Sequence, residues 1–253
     1  MYENKRNTSE QSNLLFGLRP VIEAINSGKE IDKLFVQSGL SGGTFHELKK
    51  LLAEKNIYYQ YVPIEKLNRL TSKNHQGVVC VLSEISYQHI DEILPWLFEN
   101  GKNPLILILD RITDVRNFGA IARSAECAGA DAIVIPARGA AQVNGDAMKT
   151  SAGALHKIPV CRSENLKETI EYLKNSGVQI MACTEKASDY YYSADFSLPT
   201  AIIMGSEEDG ISPEYLKRSD VKIRIPLMGE IGSLNVSVAT GIVLYEAVKQ
   251  RMK

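Results

Sequence analysis

The segment Leu105-Ile-Leu-Ile-Leu-Asp-Arg-Ile-Thr-Asp-Val-Arg-Asn-Phe-Gly-Ala-Ile-Ala-Arg123 decides how this chain is read. A short, unbroken aliphatic run reads as a strand covered on both faces, the kind found in parallel sheets whose neighbours are joined by helices. A polar loop follows, and a helix is expected to begin near Asn117, whose amide suits an N-cap, with Arg123 within two turns of it. Taken alone, these residues read equally well as a cap and a surface salt bridge.

The same signature recurs downstream. Apolar runs at 132–135, 178–182, 201–204 and 221–225 are separated by helix-length segments such as Phe118 to Ala128 and Leu166 to Asn175. Buried strands alternating with helices predict an α/β domain with a mostly parallel sheet, and ligands in such sheets bind beyond the strand C-termini. Upstream, strands are expected at Lys33 to Gln37, Tyr58 to Val62 and Gly77 to Leu82. Helices are expected at Pro20 to Asn26, Phe45 to Lys55 and Ile64 to Leu70. The chain of 253 residues therefore divides into a polar tail at 1–13, a small α/β domain at 14–86, a connecting helix at 87–103 and a larger domain at 104–253.

Composition narrows the function. Hydrophobic residues make up 44% and charged residues 23%, as in ordinary globular proteins, and the net charge of -1 leaves any nucleic-acid site to a local patch. No apolar run approaches the roughly 18 residues of a membrane span, and the N-terminus lacks an apolar signal core, so a cytoplasmic protein is expected. Cys80, Cys127, Cys161 and Cys183 contain no C-x-x-C pair and are expected to be buried, reduced thiols. The four dispersed histidines argue against a metal site. Neither G-x-G-x-x-G nor G-x-x-x-x-G-K-[ST] is present, which weighs against a nicotinamide enzyme or a P-loop NTPase.

Two further strand-to-loop junctions carry polar residues suited to a site. In Ile203-Met-Gly-Ser-Glu-Glu-Asp-Gly-Ile-Ser-Pro213, Gly205 follows a buried strand directly and three acidic residues crowd one loop. In Ile225-Pro-Leu-Met-Gly-Glu-Ile-Gly-Ser-Leu-Asn-Val236, Ser233 and Asn235 open a long apolar helix, where either is also a plausible cap. That helix is apolar around much of its circumference, as a subunit interface or a deeply buried core helix would be.

Together the segments Asn117-Phe-Gly-Ala-Ile-Ala-Arg123, Gly205-Ser-Glu207 and Ile225-Pro-Leu through Ser233-Leu-Asn-Val-Ser-Val238 resemble the three motifs of the SpoU branch of the SPOUT superfamily, RNA ribose 2'-O-methyltransferases. The N-terminal part, from Phe16-Gly-Leu-Arg-Pro to His75-Gln-Gly-Val-Val79, resembles the ribosomal-protein-like substrate-binding domain of many members. The pairing is most similar to members that methylate a guanosine ribose in 23S ribosomal RNA. The resemblance implies a deep trefoil knot in the C-terminal SPOUT domain, S-adenosylmethionine as cofactor and a homodimer formed through that domain. It implies that Gly205, Ile225 and Leu234 contact the cofactor and that Asn117, Arg123, Glu207, Ser233 and Asn235 form the catalytic and substrate-facing set. One departure is visible: the loop reads Glu207-Glu-Asp-Gly210, where many members have glycine directly after the first glutamate. Arg19, Lys66, Arg69 and Lys73, with Arg111 and Arg116, are candidates for an RNA path. Transfer RNA as the substrate, and a non-catalytic RNA-binding module of ribosome assembly, are the competing readings.

Overall fold

A computed structural model describes residues 13–252. They fall into two compact units, one of residues through Ser86 with Val143–Gly145, the other of Tyr87–Gln142 with the residues from Asp146 onward.

The first unit contains β1 (Leu14–Phe16), α1 (Leu18–Asn26), β2 (Ile31–Gln37), α2 (Gly43–Glu54), β3 (Gln60–Val62), α3 (Ile64–Leu70) and β4 (Val78–Leu82). Its sheet has the order β1-β4-β2-β3, antiparallel except for β2 with β3. Val21, Ile22 and Ile25 of α1 and Phe45, Leu48 and Leu52 of α2 occupy successive turns of one helix face, and they bury Leu34, Val36 and Cys80 on one side of the sheet. The three expected strands and three expected helices are present; β1, three residues long, is additional. The His75-Gln76 pair has a local explanation. Gly77 N–H donates to His75 Nδ1 at 3.0 Å, leaving Nε2 to donate to Asn68 Oδ1 at 2.9 Å, while Gln76 Oε1 accepts from Leu18 N–H at the start of α1.

The second unit contains α4 (Ile90–Glu99), β5 (Leu105–Asp110), α5 (Val115–Cys127), β6 (Ala132–Pro136), α6 (Gly145–Thr150, of which Gly145 groups with the first unit), β7 (Val160–Ser163), α7 (Leu166–Asn175), β8 (Gln179–Cys183), β9 (Asp189–Tyr190), β10 (Thr200–Gly205), α8 (Pro213–Arg218), β11 (Val221–Arg224) and α9 (Val236–Arg251). The order is β7-β6-β5-β10-β8-β11-β9 and every described pair is parallel. β7 and β9 extend the expected set. Neither has the aliphatic run that marks a buried strand: β7 reads Val-Cys-Arg-Ser, and β9 has two residues at the sheet edge. Ile90 and Leu94 of α4 are buried with Ile106 and Ile108 of β5 and with Ile170 and Leu173 of α7.

Two local readings are corrected. The helix expected to start near Asn117 starts at Val115, and its N-cap is Asp114, whose carboxylate accepts the Asn117 N–H at 2.7 Å. Of the four cysteines, Cys80 and Cys161 are buried, but Cys127 is exposed and Cys183 half-buried. Cys127 ends α5, where the helical repeat turns it toward solvent beside Glu126. Gly119 lies where α5 meets α6; a Cβ there would stand 2.8 Å from Ala147 O, so only hydrogen permits this approach.

Because the strands are parallel, their C-termini share one edge. The loops after β5, β10 and β11 emerge there, and all three junctions singled out in the sequence are brought to that edge. Among the described residues no helix is long and apolar enough to cross a membrane.

Candidate active site

The loop after β10 is fastened at both ends. Gly205 has no room for a side chain, since a Cβ would lie 2.2 Å from the Gly210 carbonyl carbon and 2.3 Å from Ile211 N. Gly210 takes φ +66°, the left-handed conformation that closes the turn. Asp110, the last residue of β5 and only 2% exposed, accepts from both the N–H and the hydroxyl of Ser212, each at 2.7 Å. Arg111, itself at φ +57°, reaches Asp209 at 2.9 Å, Gly210 O at 3.2 Å and Asp110 at 3.2 Å. Its charge is thus committed to this loop, which explains why its pKa, lowered by burial but raised more by Asp110 and Asp209, lies above the ordinary guanidinium value. Arg111 is a tie between loops, not the free cation expected for an RNA path.

The fastened loop presents Glu207 to two helix starts. Asn117, released from capping by Asp114, donates through Nδ2 to Glu207 Oε1 at 3.1 Å. Asn235 donates through Nδ2 to the same oxygen at 2.8 Å and to Asn117 Oδ1 at 2.9 Å, and Val236 N–H completes the set at 3.3 Å. Asn235 is simultaneously the N-cap of α9, its Oδ1 accepting from Ser237 N–H at 3.0 Å. Asn235 is therefore the helix cap that one reading expected, and the same side chain also joins the Glu207 cluster. A carboxylate held at the start of a sixteen-residue helix also meets the favourable end of the helix dipole. Glu207, not Glu208, makes these contacts.

Beside this cluster lies a cavity of about 330 Å³, within the usual range for small-molecule sites. Gly205, Glu207, Ile225, Ser233 and Leu234 all line it, joined by apolar Met204, Leu227, Val236 and Ala239. Thr184, Glu185 and Lys186 form part of its wall and were not anticipated. The signal was available: they directly follow β8, and the strand-end rule that pointed to the other loops applies equally there. Asp110 was also missed, although a carboxylate ending an aliphatic run is a cue for a buried, hydrogen-bonded role. Cys183, at the cavity wall, has its thiol pushed up to about 12 by burial and then by Glu185, so it stays protonated at neutral pH.

Arg123 is not gathered into this cluster. It projects exposed from α5 and, among the described residues, has neither hydrogen-bond nor ion-pair partner. Six residues along a helix place it about 9 Å from Asn117 and on a different face. Arg116 is exposed on the same helix. In the first unit Arg19 pairs with Glu47 at 3.2 Å, while Lys66 and Lys73 lie over the rings of Phe35 and Phe16.

Residues 104–245, which hold all these loops, match the model of the SpoU rRNA Methylase family, and residues 14–88 match the model for RNA 2'-O ribose methyltransferase substrate binding. The chain belongs to the SpoU rRNA methylase family. It is therefore an RNA 2'-O-methyltransferase of the family that uses S-adenosylmethionine as methyl donor. Among its SpoU relatives, a Bacillus subtilis protein assigned to the TrmH family of tRNA/rRNA methyltransferases is 33% identical over 243 residues, covering 96% of this chain and 98% of its own. A counterpart in Staphylococcus saprophyticus is 35% identical over 238 residues, covering 94% of this chain and 96% of its own. Among solved structures, the SpoU methyltransferase AviRb of Streptomyces viridochromogenes, determined with AdoMet, superposes with a TM-score of 0.60 at 25% identity, covering 98% of this chain and 95% of that one. An AdoMet-bound rRNA methyltransferase of Sinorhizobium meliloti gives 0.60 at 27% identity, covering 94% of this chain and 88% of its own.

Proposed function

We propose that this SpoU methyltransferase methylates the ribose 2'-hydroxyl of a guanosine in 23S ribosomal RNA. The observation that carries the reading is the convergence of Asn117, Glu207 and Asn235, from three separate loops, at the rim of the cavity lined by Gly205, Ile225, Ser233 and Leu234.

The cavity suits the family's methyl donor. Met204, Ile225, Leu227 and Leu234 offer apolar walls to an adenosine, the glycine-bearing loops bring backbone polar groups close, and Glu185, Glu207 and Glu208 outnumber Lys186 in the wall, a balance that favours a cation. When bound, S-adenosylmethionine supplies an electrophilic methyl group on a sulfonium.

Each residue then has a distinct task. Gly205, Ile225 and Leu234 hold the donor. Glu207 fixes the side-chain amides of Asn117 and Asn235, so that these groups and the Ser233 hydroxyl orient the ribose without reorganising. Arg123, exposed and unpartnered among the described residues, is assigned by the family resemblance as the clamp on the adjacent phosphate and the developing 2'-alkoxide; it lies on a different face of α5 from Asn117, so the bound RNA or the homodimer has to bring it to the ribose. A guanidinium offers five N–H donors and no acceptor, which argues against Arg123 as the base. The active form is a homodimer closed over α9, whose Val238 and Tyr245 are 51% and 54% exposed in the single chain. A trefoil threading of the C-terminal segment and a cytoplasmic location complete the reading.

The test is methyl transfer from labelled S-adenosylmethionine to unmodified 23S rRNA and transfer RNA, followed by alkaline hydrolysis. A 2'-O-methyl blocks cleavage at its own phosphodiester, so label surviving in a dinucleotide from 23S rRNA is expected. The second reading is the same chemistry on transfer RNA, which the tRNA/rRNA assignment of the B. subtilis relative keeps open. Label in transfer RNA alone would establish it, and label in neither would favour a non-catalytic RNA-binding module.

A further inference from the structure

At the edge of the large sheet, next to the cavity, three consecutive tyrosines form an ordered stack that the reading above does not use. Tyr190 of β9 sits opposite Arg224 of β11, and the Arg224 guanidinium lies over the Tyr190 ring at 4.8 Å. On the Tyr190 ring stacks Tyr192, with centroids 5.4 Å apart and planes only 20° from parallel; Tyr191 closes on Tyr192 edge-on at 5.3 Å. Arg224 Nη2 also approaches Tyr190 Oη at 3.4 Å, pinning the inner ring. With Tyr190 on one side and the edge-on contact to Tyr191, Tyr192 still leaves 52% of its surface exposed.

The position of this stack narrows what it serves. Arg224 directly precedes Ile225, and Lys186 lies four residues before Tyr190; Ile225 and Lys186 both line the cavity. Lys222 pairs in register with Ala182, which is buried against Ile170 and Leu173 of α7, so the alternation of side chains puts Lys222, Arg224 and Tyr190 on the α7 face of the sheet. Met204, which meets Val236 and Ala239 of α9 around the cavity, alternates with Ile203 of that same buried cluster and so points to the opposite face. Tyr190 therefore shares the α7 face with Arg224, while Tyr191 and Tyr192, in the turn that follows β9, reach back toward α9, the helix assigned above to the subunit contact.

We infer that Tyr190 and Tyr192, braced by Arg224, form a base-stacking platform for a nucleotide flanking the one methylated. The inference rests on the RNA-methyltransferase reading and adds a subsite to it. An aromatic ring stacked on its neighbour and still half exposed offers surface for one more planar group. Every nucleobase has such a face, and stacking on aromatic side chains is the usual way unpaired RNA bases are held. A guanidinium fixed at the inner end keeps the rings in place, so little ordering remains to be done when the base arrives.

The experiment compares wild type, Tyr192→Ala and Tyr192→Phe for binding of transcribed, unmodified 23S rRNA and transfer RNA across a salt series. Donor affinity by calorimetry and oligomeric mass by light scattering are measured alongside. Tyr192→Ala is expected to weaken binding of the methylated RNA about 5- to 100-fold, the range of one lost base stack. Its salt dependence, donor affinity and mass should be unchanged, because no phosphate contact is removed. Tyr192→Phe keeps the ring and should stay within about twofold of wild type. Binding by Tyr192→Ala within twofold of wild type would overturn the platform, as would equal losses in both variants, a flattened salt dependence or an altered mass. If wild type binds and methylates neither RNA, the proposed function itself fails and the platform with it.

Discussion

Asn235 Nδ2 lies 2.8 Å from Glu207 Oε1, joining the loop after β11 to the loop after β10 across 28 residues of sequence. Through the same amide Asn235 reaches Asn117 at 2.9 Å, so one short side chain connects the starts of two helices and the acidic loop. The arrangement separates positioning from stability. Glu207 is exposed, and the groups it holds can be solvated when it is removed.

Replacing Glu207 with Ala should therefore cost little stability, about 1 kcal/mol, the net worth of a solvent-accessible hydrogen-bonded group. Single-turnover methyl transfer should nevertheless fall about 100-fold, as when a preorganised polar group is lost from an active site. Parallel thermal unfolding and rapid-quench assays check both halves; a rate within a few-fold of wild type would remove Glu207 from the site.

Arg123→Ala is expected to reduce turnover by at least about 100-fold while donor affinity survives. Calorimetry with the donor alone and an activity assay with RNA distinguish this from misfolding. Near-normal turnover would rule out the phosphate and alkoxide clamp.

The Asp110 to Ser212 contact predicts the opposite balance. Asp110→Ala strands the Ser212 N–H and hydroxyl and one arm of Arg111, and should destabilise by about 3 kcal/mol in urea unfolding. Asp110→Asn retains an acceptor and should cost less than half as much. Equal losses in the two variants would mean that charge, not the hydrogen bonds to the loop, is what matters.

At the far end of α9, Arg251 donates to four backbone carbonyls: Asn103 at 2.7 Å, Pro104 at 3.1 Å, Phe196 at 2.8 Å and Leu198 at 2.7 Å. Burial pulls its pKa down and Asp131 partly restores it. Arg251→Ala should cost about 2 to 4 kcal/mol in denaturant unfolding, and Arg251→Lys should recover only part, since an ammonium cannot span both loops.

The thiols make a pH prediction. Burial, helped by Asp32, Asp91 and Glu185 respectively, pushes Cys80, Cys161 and Cys183 up to about 12 from an ordinary value of 9.0. A raised acid contributes stability that is complete below its ordinary value and is lost as pH rises through the folded one. These groups should thus leave stability unchanged through neutral pH and weaken it between about 9 and 12. At pH 8, mass-resolved alkylation should modify exposed Cys127 first, with Cys80 and Cys161 reacting only on unfolding. Early labelling of Cys161 would contradict the burial.

By itself the sequence determined the class of fold and singled out the strand-end junctions at which its chemistry is proposed. Aliphatic runs of strand length, punctuated by polar loops, are local signals, because burial on both faces demands them whatever the neighbours are. They sufficed to mark the loops that hold Asn117, Glu207 and Asn235. Only tertiary structure decided which residue did what. Asp114 instead of Asn117 caps α5, Glu207 instead of Glu208 meets the amides, Arg111 ties loops together, and Arg123 stands apart from all of them. The Asp114 cap is local, three residues long, but the Glu207 and Arg111 outcomes depend on hydrogen bonds between groups 28 to 118 residues apart, for which neither propensity nor periodicity holds any record. The edge strands β7 and β9 were invisible for a related reason: their pairing comes from the neighbouring strand, not from their own apolar content.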